Sequence, residues 1–344
     1  MVISMRHKTG IYAGFLVLFA ILLAFPANVT AQKRTLRQRI TRLDSTLSAR
    51  YYKIPYDTNY VIRPVGRWTL KARFNQTGNT FHTKGTINGI TSRYDLSTSH
   101  KTTISLDVSY RGLSASFSLN PAKMKGNYKD YEFNLNYFSS RISLDFSYQR
   151  SESLSGSINR DNTTHQLESG DVSMKVVNVA GYYAFNHRKF SFPAAFNQNF
   201  IQRRSAGSWL AGISYQGGSI ITRDELKARN PNAPDVSIKF GHLGVGGGYG
   251  YNLVLGKKWL LHLSALPTIV VYNRNKLTIN GEEKEAKHMR FHMIFNERAA
   301  IIYNFSSHYF AGATLVMNNS VFDNDAVTIN QNKWRARAFV GIRL

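Results

Sequence analysis

Trp334–Leu344 reads WRARAFVGIRL, and its alternation decides the fold. Trp334, Ala336, Ala338, Val340, Ile342 and Leu344 fall on one parity. Arg335, Arg337, Phe339, Gly341 and Arg343 fall on the other. Period two means a β-strand with two unlike faces. Arg141–Tyr148 repeats the pattern, with Ile142, Leu144, Phe146 and Tyr148 against Ser143, Asp145 and Ser147. About twelve such segments follow residue 65: 67–77, 80–90, 101–119, 131–138, 141–150, 171–186, 207–222, 236–251, 259–272, 286–304, 309–322 and 332–344. Several run well beyond the roughly 9–11 residues that span a bilayer as a tilted strand. Aromatic residues gather near their ends, among them Trp68, Tyr110, Tyr148, Tyr249, Trp259, Tyr303 and Tyr309.

The beginning of the chain supplies a destination. Arg6, His7 and Lys8 precede an apolar run, Ile11–Phe25, and Val29 and Ala31 suit a small-residue cleavage site. Residues 1–31 therefore read as a secretory signal peptide. After Ala31 no apolar run reaches the ~18 residues of a membrane helix. An exported chain that meets lipid without such a helix crosses it only as a closed barrel, because every backbone donor and acceptor must be paired inside the chain. The fold expected is an all-β transmembrane antiparallel barrel of about twelve strands over 65–344, in the outer membrane of a Gram-negative bacterium. Residues 32–64 are expected to form a short periplasmic helix and a linker. Leu36, Ile40, Leu43 and Leu47 give the helix its apolar face, a basic tail being the alternative, and Asp57-Thr58 favours a turn in Tyr51–Pro64.

Charge limits the partners. The 42 basic and 20 acidic side chains beyond residue 31 leave +22, from 44 and 20 in the whole chain. For an exported protein the polyanions at hand are outer-membrane lipid, lipopolysaccharide and acidic glycans. Nucleic acid is not expected, since no zinc-finger, helix-turn-helix or RNA-binding pattern occurs. A protein partner in the periplasm or outer membrane is the other expectation. There is no cysteine, hence no disulfide and no thiol chemistry.

Few residues suggest chemistry. The histidines, including His288 and His292, are dispersed without acidic company, so no metal or cofactor is expected. Ser307-His308 are adjacent, which by itself does not make a nucleophile–base pair, and no G-x-S-x-G elbow occurs. No catalytic residue is assigned. The inward arginines Arg335, Arg337 and Arg343 are the more informative set. Buried guanidinium groups need carboxylates, water or an anionic ligand, and Asp107 and Asp145 share the predicted inner faces. Either an internal salt-bridge lattice plugs the barrel, or a basic wall with Arg111 nearby meets an anion.

Three irregularities are expected. Gly78-Asn79 reads as a tight hairpin. Arg111-Gly112 reads as a bulge or bend where the phase of 101–119 inverts, with a second slip near Val176-Val177. The run 241–250, GHLGVGGGYG, leaves little inner side-chain volume, suiting sharp curvature or close approach of an inner segment. With both termini periplasmic, strand parity puts long connections such as 151–170 outside and short ones inside. Ser191–Trp209, SFPAAFNQNFIQRRSAGSW, breaks this rule as a long periplasmic connection. It is expected to pack into or beneath the barrel base, turning at Pro193 and over Ser205–Ser208 before a strand starts at Trp209, with Arg203 and Arg204 available to a partner or an internal carboxylate.

The segments DTNYV (57–61), DVSYRG (107–112), FPAAFNQ with QRRSAGSWLAG (192–212) and GVGGGYGYNLVL (244–255) resemble the DUF4421 family, exported proteins of Bacteroidetes. The resemblance runs from about residue 35 to 344 and implies an outer-membrane barrel. The family has no assigned function, so the resemblance implies no catalytic residues. Leu344 stands where many outer-membrane barrels end in an aromatic residue. The function expected is structural or binding. A narrow solute channel is the second reading, and a lipid-modifying enzyme the third.

Overall fold

A computed structural model describes residues 36–64, 66–87, 90–111, 113–119, 130–160, 163–231, 233, 235–284, 289–324 and 327–344. The signal-peptide reading and His288 lie outside them. The chain forms two compact units, 1–50 and 51–344. The first carries most of helix α1, Leu36–Tyr52. The second is a barrel that includes the linker after residue 50.

In chain order its strands are β1 (Val61–Ile62), β2 (Trp68–Ile87), β3 (Ile90–Thr98), β4 (Lys101–Tyr110), β5 (Leu113–Leu119), β6 (Tyr131–Phe138), β7 (Ile142–Arg160), β8 (Thr163–Ala184), β9 (Ile201–Gln202), β10 (Ala206–Thr222), β11 (Val236–Leu255), β12 (Trp259–Ile279), β13 (Glu282–Lys284), β14 (Met289–Asn304), β15 (Tyr309–Asn324) and β16 (Val327–Arg343). Two short helices interrupt them, α2 (Phe192–Phe196) and α3 (Asp224–Arg229). All pairings are antiparallel. β16 returns to β2, from Arg343↔Thr69 to Val327↔Gly85, and closes the ring.

Ten strands make that ring: β2, β3, β7, β8, β10, β11, β12, β14, β15 and β16. β4 carries the path of β3 onward beside β2, since Thr80 pairs with Ser97 and Thr77 with Lys101. β5 pairs with β4, and β6 with the first half of β7. The half nearest Trp68 and Arg343, here the terminal end, thus counts twelve strands, and the far end counts ten.

Two expectations near the start are corrected, and their errors cancel in the parity. Gly78-Asn79 is no hairpin but the middle of β2. Tertiary contacts override the turn-like dipeptide: Asn79 is buried against Thr98 and Gln331, and Trp334 covers Gly78 on the outer face. Residues 101–119 are not one strand. Arg111, with φ 45°, turns the chain from β4 into β5, which is why the phase inverted there. β8 keeps one register past Val176-Val177. The slip was an illusion of a strand with apolar residues on both faces, because the lumen beside it is apolar. Residues 151–170 are not a long loop but the continuing hairpin of β7 and β8, and β10 begins at Ala206 rather than Trp209.

The outer wall of the terminal half is apolar: Leu263 is 68% exposed, Leu106 62% and Val340 60%. Water would penalise such a surface. Trp68 with Tyr110, Trp209 with Tyr249, and Trp259 with Tyr303 pair along its edge, as an interfacial girdle would. Among the described residues no helix is long and apolar enough to cross a membrane.

The glycines of β11 permit close approach, one of the two roles suggested by the sequence. A Cβ on Gly248 would lie 2.0 Å from the Ala265 carbonyl, so it leaves room for the backbone of β12. A Cβ on Gly250 would meet the Phe190 ring inside the lumen at 2.9 Å. Gly248→Val is expected to destabilise the barrel by at least ~3 kcal/mol, since rigid backbone must move. Gly241→Val, whose Cβ would meet only the Tyr215 hydroxyl at 3.5 Å, is expected to be near neutral. Urea unfolding of both variants in detergent checks the contrast.

Candidate functional site

The inner face of the barrel is built in layers. At the terminal end the connection between β8 and β10 enters the lumen. Phe190, Phe192, Ala194, Ala195, Gln198 and Phe200 are buried there. Ser191 caps α2 through the Ala194 N–H at 3.2 Å, and Pro193 occupies its first turn, both favoured at a helix start. Gln198 adopts a left-handed φ of 58° to leave the helix. Its side chain accepts from Lys71 Nζ at 2.9 Å, and its carbonyl accepts from Arg343 Nε at 3.1 Å. Asn252 donates to the Ser191 carbonyl and is held in turn by His262 at 2.7 Å. Phe196 stacks on Phe138, 5.5 Å between centroids. The inserted segment therefore touches inward side chains of β2, β6, β11, β12 and β16.

The linker fastens it from the other side. Asp57 closes an Asx turn on Asn59 N–H at 2.9 Å. β1 then pairs with β9, Val61↔Gln202. Tyr51 stacks on Phe200 and donates to the Asn199 carbonyl, while Tyr56 meets Ser191 Oγ at 2.9 Å. Burial raises the Tyr51 hydroxyl to about 12 and the Tyr56 hydroxyl further, so both stay neutral.

Above the insert lies a charged belt. Asp107 accepts from Arg73 at 2.8 Å, with Lys71 at 3.7 Å. Asp145 pairs with Arg298 and accepts from Asn136 at 2.7 Å. The Arg298 guanidinium lies over Tyr182, 4.6 Å from its centroid, and over Phe196. A polar layer follows, including Gln216–Gln331 at 2.5 Å and Asn296–Ser214 at 2.8 Å. A cavity of about 30 Å³ sits among Ser147, Asn178, Ser214, Asn296, Asn318 and Arg335, room for a water. Beyond it Phe81, Leu96, Leu154, Leu167, Met174 and Val176 form an apolar layer at the far end.

A family model, "Domain of unknown function (DUF4421)", matches residues 55–343. The chain belongs to that family. The match spans the linker from residue 55, the insert and every barrel strand, so the DUF4421 unit includes the barrel and the segment inserted at its base. No curated protein matches the chain in sequence. Among solved structures, the outer membrane protease OmpT from Escherichia coli is similar at 8% identity, with TM-score 0.37, over 82% of this chain and 97% of that one. OprG from Pseudomonas aeruginosa gives 9% identity, TM-score 0.27 and coverages of 82% and 98%. The β domain of the Bordetella autotransporter BrkA gives 10%, 0.33, 80% and 99%. At these scores the likenesses carry no functional argument.

The DUF4421 barrel places the sequence-predicted residues as follows. Asp107, Asp145, Arg335, Arg337 and Arg343 all face inward, but the pairing differs from expectation. Asp107 is taken by Arg73 and Lys71 of the neighbouring β2, and Asp145 by Arg298, which reaches across the lumen from β14. Arg343 is satisfied by the Gln198 and Ser307 carbonyls and Asn304 Oδ1, over the Phe310 ring. Arg337 reaches Asn136 at 3.5 Å. Arg335 Nε and Nη1 and Arg337 Nε have no hydrogen-bond partner among the described residues. Arg111 is not on a basic lumen wall; it lies at the terminal-end turn against Tyr52 and Tyr110. Pro193 is buried in the insert, whereas the Arg203 and Arg204 side chains are exposed. Ser208 and Trp209 belong to β10: Ser208 faces inward and accepts from Asn186 N–H, and Trp209 joins the outer girdle. Ser307 Oγ does hydrogen-bond His308 Nδ1, at 3.0 Å in an exposed turn, more contact than adjacency promised. No group of three potential metal ligands occurs among the described residues.

Sequence reasoning missed Lys71, Arg73 and Arg298. The signal was present: each stands at a parity whose neighbours, Ala72 and Phe74 or Ala299 and Ile301, form the outer face. Asp145→Asn is expected to cost about 3–5 kcal/mol, because it strands a buried guanidinium at Arg298. Arg335→Gln, which breaks no ion pair in the described structure, is expected to cost under ~1 kcal/mol. Denaturant midpoints of the two variants in detergent separate these outcomes.

Proposed function

We propose that this protein is an outer-membrane β-barrel that works by binding, with its periplasmic face as the binding surface. On this reading residues 1–31 export it, the apolar outer wall lies in the bilayer, and the terminal end faces the periplasm. The observation that carries the reading is an asymmetry of charge. The connections at the terminal end (51–67, 111, 139–141, 185–205, 256–258 and 305–308) hold eleven Lys and Arg side chains and one acidic one, Asp57. Arg67, Arg188, Arg203, Arg204, Lys257 and Lys258 are exposed among them. At the far end, by contrast, cations sit beside carboxylates. Arg223 bridges Glu152 and Glu225 at 3.1 and 2.6 Å, Lys227 pairs with Asp235 at 2.9 Å, and Arg229 with Asp171.

Cations crowded without carboxylates repel one another and are relieved by an anionic partner. The partner class this supports is an anionic envelope component or a protein with an acidic face. The inserted segment supports binding over transport. It places aromatic rings in the base, and a second buried apolar cluster lies at the far end. The channel reading has the basic belt in its favour, and a hydrolase or acyltransferase has only the exposed Ser307–His308 contact.

Affinity purification from native outer membranes tests the proposal. The wild-type chain is expected to retain an anionic polymer or acidic protein at low salt. The variant Arg203→Glu/Arg204→Glu/Lys257→Glu/Lys258→Glu is expected to release it, as does high salt. Equal retention by both chains overturns the binding face. In planar bilayers the wild-type protein is expected to give no conductance steps; regular steps would favour the channel.

A further inference from the structure

The wall of the terminal half is not sewn shut all the way round. β5 bonds to β4 and β6 bonds to β7, but among the described residues no backbone pairing joins β5 to β6. Both enter as a wedge below the level of Thr98 and Leu154, where β3 and β7 part. Their outer faces belong to the apolar band: Phe117, Leu119, Tyr131, Phe133, Leu135 and Tyr137 are exposed. Each strand therefore presents an unbonded edge at bilayer depth, where backbone polar groups are costly to leave unpaired.

What lies behind the seam is polar and basic. Asp107 faces the lumen, so Ser116, its ladder partner, faces the same way. Yet Ser116 is exposed, as an inward residue beside an opening would be. Arg73 reaches β5 through Ser116 Oγ at 2.9 Å, and Arg337 reaches β6 through Asn136. Six cations face the lumen on this side: Lys71, Arg73, Lys101, Lys333, Arg335 and Arg337. They meet two carboxylates: Asp107, held by Arg73, and Glu132, 3.9 Å from Lys101. The Nε atoms of Arg73, Arg335 and Arg337, and Arg335 Nη1, have no hydrogen-bond partner among the described residues.

We propose that the β5–β6 seam is a lateral entry for a bilayer phospholipid, whose phosphate is bound inside the wall by Arg73, Arg335 and Arg337. Phosphate oxygens accept several charge-assisted hydrogen bonds at once, and guanidinium matches them in plane. The acyl chains remain in the bilayer against Phe117 and Leu135. A protein strand added to the seam would pair the edges but leave these guanidinium N–H groups unmatched, which favours lipid. The inference rests on the transmembrane placement of the barrel and not on the periplasmic binding face.

The test uses the full chain refolded into vesicles containing phosphatidylglycerol with a photoactivatable acyl chain. Labelling is expected to concentrate on Leu113–Leu119 and Tyr131–Phe138, and native mass spectrometry to find phosphatidylglycerol retained after transfer to detergent. Retention is expected to fall about five-fold or more in Arg335→Gln/Arg337→Gln, which removes two of the three guanidinium groups. It is expected to stay unchanged in Lys257→Glu/Lys258→Glu, so that this site and the periplasmic face fail separately. Labels spread evenly around the barrel overturn the proposal. So does undiminished retention in the arginine variant, displacement of the lipid by inorganic phosphate, or a polypeptide crosslinked to Phe117 or Leu135 in place of lipid. The wild-type labelling map decides the question even if the arginine variant does not fold.

Discussion

The hydrogen bonds from β16 to β2 are the interaction on which the rest depends. They turn a sheet into a ring, and a ring has an inside. Once Arg343 pairs with Thr69, every strand has one parity facing the apolar band and one facing the lumen. Across much of the lumen the walls meet directly: Gln216 of β10 reaches Gln331 of β16, and Arg298 of β14 reaches Asp145 of β7. At the terminal end the lumen takes a segment that is not part of the ring.

The insert between β8 and β10 is that segment. It brings Phe190, Phe192, Phe196 and Phe200 into the base and gives Lys71 and Arg343 carbonyl and amide partners. Buried cations without such partners would be costly. The glycines of β11 belong to the same solution, since Gly250 leaves room for Phe190. The short β1–β9 pairing and the two tyrosines of the linker tie the insert to the chain that precedes the barrel. The interior is thus organised like a protein core, with aromatic, charged, polar and aliphatic layers in succession.

Charge then distinguishes the parts of the surface. Arg223, Lys227 and Arg229 at the far end sit beside carboxylates, while the cations at the terminal end and behind the β5–β6 seam outnumber their carboxylates. Exposed ion pairs of the far-end kind add little stability each, so what matters is where pairing is lacking. One such group lies exposed beside the aromatic girdle, and the other lies buried behind β5 and β6.

Much of this was legible in the chain. Alternation in Trp334–Leu344 and Ile142–Tyr148 gives strands, the inward parity of Arg335, Arg337 and Arg343, and the outward parity of Leu344, because a strand has a period of two whatever surrounds it. The long connection at Ser191–Trp209 was recognisable as an internal element because parity put it at the end where connections are short. Pairing was not legible. Gly78-Asn79 looked like a turn, and 101–119 like one strand with a bulge or bend, since local propensity does not know which neighbours a residue will meet. Asp107 and Asp145 were assigned to the wrong arginines for the same reason. Faces follow from one strand alone; partners, the filled lumen and the open seam follow only from closing the ring, which brings residues distant in sequence within hydrogen-bond reach.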